Sequence, residues 1–242
     1  MTFISIILPT YCEAGNIVNL IKALIKHIKL QSKTYKLEIV VIDDDSPDGT
    51  AQEVQKLIKQ KLPVKIFIRK NQRGLATAIA LGIKKAKGNI IVLMDTDFNH
   101  LPKDLPRLLK PILNQKADLV IGSRYIASGG MHATVNKLQF FLSKYGNFFV
   151  NRILLRLPVY ESLSGFVVFK RSILQNLNLS TIFQGYGDYC IRLLFKINQQ
   201  GFTIAEVPVI YGKRQWGESK TNLIKIFFDY LITSFKLRFN LI

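Results

Sequence analysis

The sequence predicts an α/β domain built on a mostly parallel sheet, and three observations predict it. Short β-branched runs recur at 4–8, 38–42, 64–68, 90–94 and 119–122, helical patterns fill the intervals, and acidic or polar residues follow directly on several runs. With 242 residues, 48% of them hydrophobic and 21% charged, the chain can form one large core, or one core with a small appendage.

The helical intervals are 16–29, 51–60, 74–87 and 103–115, each with apolar residues at i, i+3 and i+4 and acceptable start and stop residues. After Arg124 the rhythm changes. Gly129-Gly130 marks a loop, and 135–157 reads as a long basic helix interrupted near Gly146. Two further strand candidates, 166–169 and 203–210, bracket an aromatic helix at 189–198, and a last helix fills 222–239. This divides the chain into a catalytic domain over 1–212 and a C-terminal piece, 213–242, made of a loop and an amphipathic helix.

Thirty-four basic against 16 acidic residues leave a net charge of +18, which calls for a polyanionic partner: nucleic acid, an anionic lipid surface or a phosphorylated substrate. No nucleic-acid-binding motif or basic–aromatic sheet is present, so nucleic acid is not expected. Cys12 and Cys190 lie far apart without metal-ligand spacing, which suggests neither a disulfide framework nor zinc and fits a reducing cytoplasm. The start Met1-Thr2-Phe3-Ile4-Ser5 lacks a basic leader, and the most apolar segment, 223–242, carries Lys225, Asp229, Lys236 and Arg238. Neither a signal peptide nor a membrane span is expected. No feature of the sequence sets an oligomeric state.

The run at 90–94 ends in Asp95-Thr96-Asp97-Phe98-Asn99-His100. In parallel sheets ligands bind at this carboxyl edge. Two carboxylates one residue apart, with an amide oxygen two further on, can converge on Mg²⁺ or Mn²⁺ and leave positions for diphosphate oxygens and water; alternatively Asp95 and Asp97 merely cap the next helix. A second cluster, Asp43-Asp44-Asp45-Ser46-Pro47-Asp48-Gly49-Thr50, closes the run at 38–42. Asp43 could accept hydrogen bonds from a base or ribose, Asp48 is expected to build the turn, and Thr50 to cap a helix. The first run ends in Pro9-Thr10-Tyr11-Cys12-Glu13, where Tyr11 could stack on a base and Glu13 either bond a ribose or cap the helix.

These loops, together with Arg73-Gly74, Gly122-Ser123-Arg124 and Ser164-Gly165-Phe166, resemble the family-2 inverting glycosyltransferases, in the branch of dolichol-phosphate mannose synthase and bacterial polyprenyl-phosphate transferases. The resemblance spans almost the whole chain and implies a GT-A fold, a nucleotide-diphosphate-sugar donor and a polyprenyl phosphate acceptor. It implies that Pro9, Tyr11, Glu13, Val41 and Asp43 hold the nucleoside, with Thr96 beside them. Asp95, Asp97 and Asn99 would ligand Mg²⁺ or Mn²⁺, and Arg124, Arg214 and Lys220 would surround the phosphates. The best guess for the donor is GDP-mannose, with UDP-glucose or a hydroxyl acceptor as alternatives.

Three positions depart from the branch: Asn99 stands where Gln is usual, Glu161 replaces an Asp ahead of Ser164-Gly165, and Asp188 offers its carboxylate three residues after Gly185. Asp188 could serve as base toward a hydroxyl acceptor. The segment 211–220, with Gly212, Gly217, Trp216 and three cations, reads as a lid over the donor. Leu138, Phe141, Leu142, Tyr145 and Phe149 form an apolar stripe that also carries Arg152 and Arg156, and Leu223, Ile226, Phe227, Tyr230 and Leu231 form another. Either packs on the core or lies on anionic lipid, and the resemblance favours a peripheral protein on the cytoplasmic face of a membrane.

Overall fold

The protein is described by a computed structural model that places residues 2–31, 35–131, 137–212 and 223–242. In chain order the elements are β1 (Phe3–Thr10), α1 (Ala14–Gln31), β2 (Lys36–Asp43), α2 (Thr50–Lys59), β3 (Val64–Ile68), α3 (Leu75–Lys85), β4 (Ile90–Leu93), α4 (Leu105–Leu113) and β5 (Leu119–Ser123). There follow β6 (Gly130–Met131), α5 (Lys137–Phe148), a π-helical turn (Phe149–Leu154), β7 (Val167–Lys170), α6 (Leu179–Ile182), α7 (Tyr189–Gln199), β8 (Ile204–Pro208), β9 (Ile210–Tyr211) and α8 (Leu223–Arg238).

Seven strands make one sheet in the order β3-β2-β1-β4-β7-β5-β8, and β6 pairs with β9 in a small second sheet. The strands β1 to β4 are mutually parallel, as the β-strand–helix alternation requires. β7 alone runs against its neighbours β4 and β5, while β8 returns parallel to β5. The central strands are apolar throughout because both faces are covered. One face packs on α1, α2 and α4 through residues such as Leu20, Val54 and Leu108, and the other on α3 and α7 through Ile79, Tyr189 and Leu193.

The chain leaves β1 for β2 on one side and later crosses back to β4 on the other, so the carboxyl ends of β1 and β4 flank a topological switch point, the usual ligand crevice of such sheets. Register places the acidic residues there: Thr10 pairs with Asp43, and Ile7 with Leu93, two residues before Asp95.

The expected break near Gly146 falls elsewhere. Gly146 sits inside α5, and the helix widens only at Phe149–Leu154, where the Leu155 N–H donates to the Val150 carbonyl at 2.9 Å. The turn holds the fully buried Asn151, whose Nδ2 donates to the Tyr160 carbonyl at 3.2 Å. The expected loop at Gly129-Gly130 contributes Gly130 to β6, and the strand candidate 203–210 divides into β8 and β9. No helix among the described residues is long and apolar enough to cross a membrane.

Candidate active site at the ends of β1, β2 and β4

The first two strand-end loops are stitched to each other. Asp43 is fully buried and receives the Thr10 hydroxyl at 2.8 Å, the Ser46 hydroxyl at 2.7 Å and the Ser46 N–H at 2.9 Å. The Cys12 N–H donates to Ser46 Oγ, the Glu13 N–H to Thr50 Oγ1 and the Ala14 N–H to Asp48 Oδ2, at 2.9 to 3.0 Å. Asp43 therefore spends three of its roughly four acceptor positions inside the protein, and its visible task is to shape the crevice. Asp48 builds the turn, as its position suggested. Burial pushes its carboxyl up, but bonds from Thr50 and Ala14 outweigh that and hold it below the usual range. The residue preceding α2 is Gly49, at φ 88°, and the Thr50 hydroxyl reaches across to the first loop instead of capping the helix.

Asp44, passed over in the sequence, is the anchor of the next loop. Its carboxylate meets Arg69 Nε at 2.7 Å and Nη2 at 2.6 Å and accepts the Gly74 N–H at 2.9 Å. This buried pair, with both guanidinium nitrogens on Oδ1 and the Gly74 N–H on Oδ2, fixes 70–74, and Arg73 then lies 4.2 Å above the Tyr11 ring. Glu13 precedes α1; its carboxylate accepts the Asn16 side-chain N–H at 2.7 Å and its carbonyl accepts the Asn16 and Ile17 N–H groups that open the helix. Pro9 offers its carbonyl to Thr96 Oγ1 at 3.5 Å, a long contact. Val41 departs from its expected role: its side chain is fully buried in the core with Ile4, Leu8 and Ile39, because the alternation of β2 turns it toward α1 and α2.

At the end of β4 the two carboxylates differ. Asp95 keeps 39% of its side chain exposed, whereas Asp97 is buried and receives the Asn99 N–H at 3.0 Å and Asn99 Nδ2 at 2.7 Å. Asn99 thus clamps Asp97 through its amide nitrogen. Gly165 lies against Asp95 so closely that a Cβ there would come within 2.8 Å of both carboxylate oxygens. His100 folds beneath Asp95, with the Asp95 N–H donating to Nδ1 at 3.3 Å and Nδ1 standing 3.6 Å from Oδ2. Burial pushes the His100 imidazole down to about 4, which keeps it neutral at physiological pH.

Among the described residues no group of three His, Cys, Asp or Glu side chains gathers into a metal cage. One or two hard carboxylates are nonetheless what Mg²⁺ needs when substrate phosphates and water supply its remaining ligands. Asp95, whose side chain is partly exposed and against which Gly165 packs, together with Asp97 meets that requirement. Gly165→Ala is accordingly expected to weaken Mn²⁺ binding about tenfold or more in a calorimetric titration, since real Cβ atoms do not approach so closely and the carboxylate must move.

The basic residues are arranged differently from the expectation. Arg124 turns its Nε to Glu161 Oε1 at 2.7 Å, with Nη2 on the same oxygen, while its N–H donates to Glu161 Oε2 at 2.6 Å. Its guanidinium lies 4.3 Å over the Tyr211 ring and 4.9 Å over Tyr125. Burial would lower the Arg124 pKa, but Glu161 outweighs it and holds it raised. The Glu161 carboxylate, fully buried, therefore engages much of this cation. Arg214, Lys220 and Trp216 lie outside the described residues, as do the side chains of Leu223, Ile226 and Phe227.

Asp188 also has another occupation. It is buried, pairs with Arg192 Nη2 at 2.5 Å, and accepts the Thr233 hydroxyl at 3.1 Å and the Tyr186 N–H at 3.1 Å. These donors hold α7 and α8 together, an arrangement suited to a structural carboxylate and not to a base that must take up a proton.

A mostly parallel seven-stranded sheet whose switch point carries two aspartates, with two further strand-end loops locked beside them, is an α/β fold of the GT-A class. The chain belongs to glycosyl transferase family 2, whose family model matches residues 5–177. Among its relatives it is 34% identical over 238 residues to the dolichol-phosphate mannosyltransferase of Pyrococcus furiosus, covering 97% of this chain and 63% of the archaeal protein. It is 30% identical to the dolichol-phosphate mannosyltransferase of Saccharomyces cerevisiae, over 94% of this chain and 84% of that one. With the polyprenol monophosphomannose synthase of Mycolicibacterium smegmatis it shares 31% identity, over 89% and 79%. In fold it is similar to glucosyl-3-phosphoglycerate synthase from Mycobacterium tuberculosis, crystallised with Mn²⁺ and UDP-glucose, with a TM-score of 0.65, 21% identity, and coverage of 98% of this chain and 79% of that one.

Proposed function

We propose that this chain transfers a hexose, with mannose from GDP-mannose as the best guess, to a polyprenyl phosphate with inversion at the anomeric carbon. The observation that carries the reading is the pair of carboxylates Asp95 and Asp97 at the switch point, with Gly165 packed against Asp95. The names of the archaeal, yeast and mycobacterial relatives support the mannosyl donor and lipid acceptor. Asp95 and Asp97 would hold Mg²⁺ or Mn²⁺, a choice of metal class supported by the Mn²⁺ of the structural neighbour, and the cation would neutralise the nucleoside diphosphate.

The remaining chemistry asks little of side chains as acids or bases. A phosphate monoester is already anionic at neutral pH, so one of its oxygens forms the new bond to the anomeric carbon as the carbon–oxygen bond to the nucleoside diphosphate breaks. Positioning and charge neutralisation suffice. The structural employment of Asp188 supports a phosphate acceptor over a hydroxyl one. The test is incubation with labelled GDP-mannose or UDP-glucose and polyprenyl phosphate. Organic-extractable label from GDP-mannose supports the reading, and label only in water-soluble glycosides refutes it.

The acceptor would be met at an anionic membrane surface on the cytoplasmic side. Leu138, Phe141, Leu142, Tyr145, Phe149 and Ile153 are exposed on α5 and its π-helical turn, and Phe228, Ile232 and Phe235 on α8 with Phe239 just after it, with Arg152, Arg156, Lys236 and Arg238 among them. Core packing, the other reading of both stripes, does not describe the first; of the second, Tyr230 and Leu231 do pack against the core, with Leu237, and the exposed face of α8 is the one that carries Phe228, Ile232 and Phe235. A polar, charged and aromatic mixture of this kind suits interfacial binding. Co-sedimentation with vesicles containing phosphatidylglycerol is expected to exceed that with phosphatidylcholine alone, and Phe141→Asp with Phe235→Asp to reduce it about tenfold or more.

A further inference from the structure

His100 is the one buried side chain of the site whose ring nitrogen lacks any hydrogen-bonding partner among the described residues: Nε2 has none, and the side chain is 1% exposed. An imidazole left that way needs a reason. Its surroundings supply one. The ring stacks on Phe166 with centroids 5.2 Å apart and meets Tyr211 edge-on at 4.9 Å, so two aromatic residues from β7 and its approach and from β9 fix its plane. Phe98, at φ 63°, turns the loop back so that the ring passes under Asp95, and the Gly212 N–H pins that loop through the Asn99 carbonyl at 2.9 Å.

The Asp95 N–H stands just past the last ladder pair of β4, and Nδ1 is the acceptor it finds, at 3.3 Å. Since Nδ1 accepts, the proton of the neutral ring belongs on Nε2.

We propose that His100 is a positioning residue for the metal site: its Nδ1 fixes the Asp95 main chain, and its aromatic box holds the carboxylate in the orientation that takes a divalent cation. This rests on the reading of Asp95 as a metal ligand. The side chain itself touches neither metal nor substrate.

The test is Mn²⁺ affinity in the presence of GDP, followed by the electron paramagnetic resonance signal of free Mn²⁺, for the wild type, Asp95→Asn, His100→Phe and His100→Asn. Asparagine returns an acceptor close to Nδ1, and phenylalanine fills the space without one. The expected result is affinity weakened about tenfold in His100→Phe and restored to within about threefold in His100→Asn, even if both melt earlier than the wild type. Wild-type affinity in His100→Phe, or equal weakness in both variants, overturns the proposal. If His100→Phe does not fold, His100→Gln replaces it: its amide oxygen falls near Nε2, so it is expected to bind Mn²⁺ more weakly than His100→Asn, and equal affinities overturn the proposal. A wild type that takes no Mn²⁺, or an Asp95→Asn variant that binds as well as the wild type, overturns the metal reading itself and this inference with it.

Discussion

Asp95→Asn is expected to lower hexosyl transfer about 10²–10³-fold while leaving the fold intact, because the substitution removes the partly exposed carboxylate that would hold the cation at the diphosphate. The introduced amide would still offer an oxygen, but without the negative charge that attracts a doubly charged ion. The thermal midpoint should move little: the side chain is 39% exposed, and the Asp95 N–H bond to His100 does not depend on the carboxylate. Transfer of label from nucleotide sugar, measured together with thermal unfolding, separates the two effects. Asp97→Asn is a poorer test. Its carboxylate is buried and bonded to both nitrogens of Asn99, so loss of activity there would mix ligand loss with a disturbed turn.

Glu161→Ala is expected to cost about 3–5 kcal/mol of stability, the largest loss from any single truncation discussed, because it strands the Arg124 guanidinium without its partner in a buried place. It also frees the Arg124 main-chain N–H of its acceptor. Glu161→Gln keeps an acceptor oxygen for Nε and should lose less, and Glu161→Asp restores charge but is one methylene shorter, so it cannot serve both the guanidinium and the N–H without a shift. Chemical denaturation of the four proteins should rank wild type above both conservative variants and Glu161→Ala last. The same comparison shows what Arg124 does when released. If it is a phosphate ligand held in check by Glu161, donor affinity changes separately from stability.

Much of this organisation was legible in the residues. The parallel strands β1 to β4 announce themselves because buried strands with both faces covered are apolar throughout, and the acidic residues that follow them have few other reasons to sit at strand ends. The reversed direction of β7 was not legible: Val167–Lys170 has the same composition as a parallel strand, and direction is decided by the long connection before it. The pair Asp44–Arg69 escaped notice because its members are 25 residues apart and meet only when β2 and β3 align.

Partnership was the hardest property to read. Arg124, Asp188 and Asp43 were each credible ligand-facing residues from their motifs, yet each is engaged by a protein partner brought from another element: Glu161, Thr233 with Arg192, and Thr10. A motif names chemistry but does not say whether that chemistry is already satisfied. Val41 shows the same limit through geometry, since it lies two residues back from the strand end at Asp43, where β2 is still covered on both faces and its side chain is core. Conversely, His100 lay inside the quoted motif without a role, because only the fold shows its ring beneath Asp95.

The central claim is that the Asp95 site supports metal-dependent hexosyl transfer to a lipid phosphate. Its most direct test is one reaction with labelled GDP-mannose, polyprenyl phosphate in anionic vesicles and Mn²⁺, run with wild type, wild type plus chelator, and Asp95→Asn. The account predicts organic-extractable label, β-linked to phosphate, in the first reaction and almost none in the other two. Lipid-linked label that survives chelation and the Asp95 substitution would contradict it, as would no lipid-linked label from any nucleotide sugar.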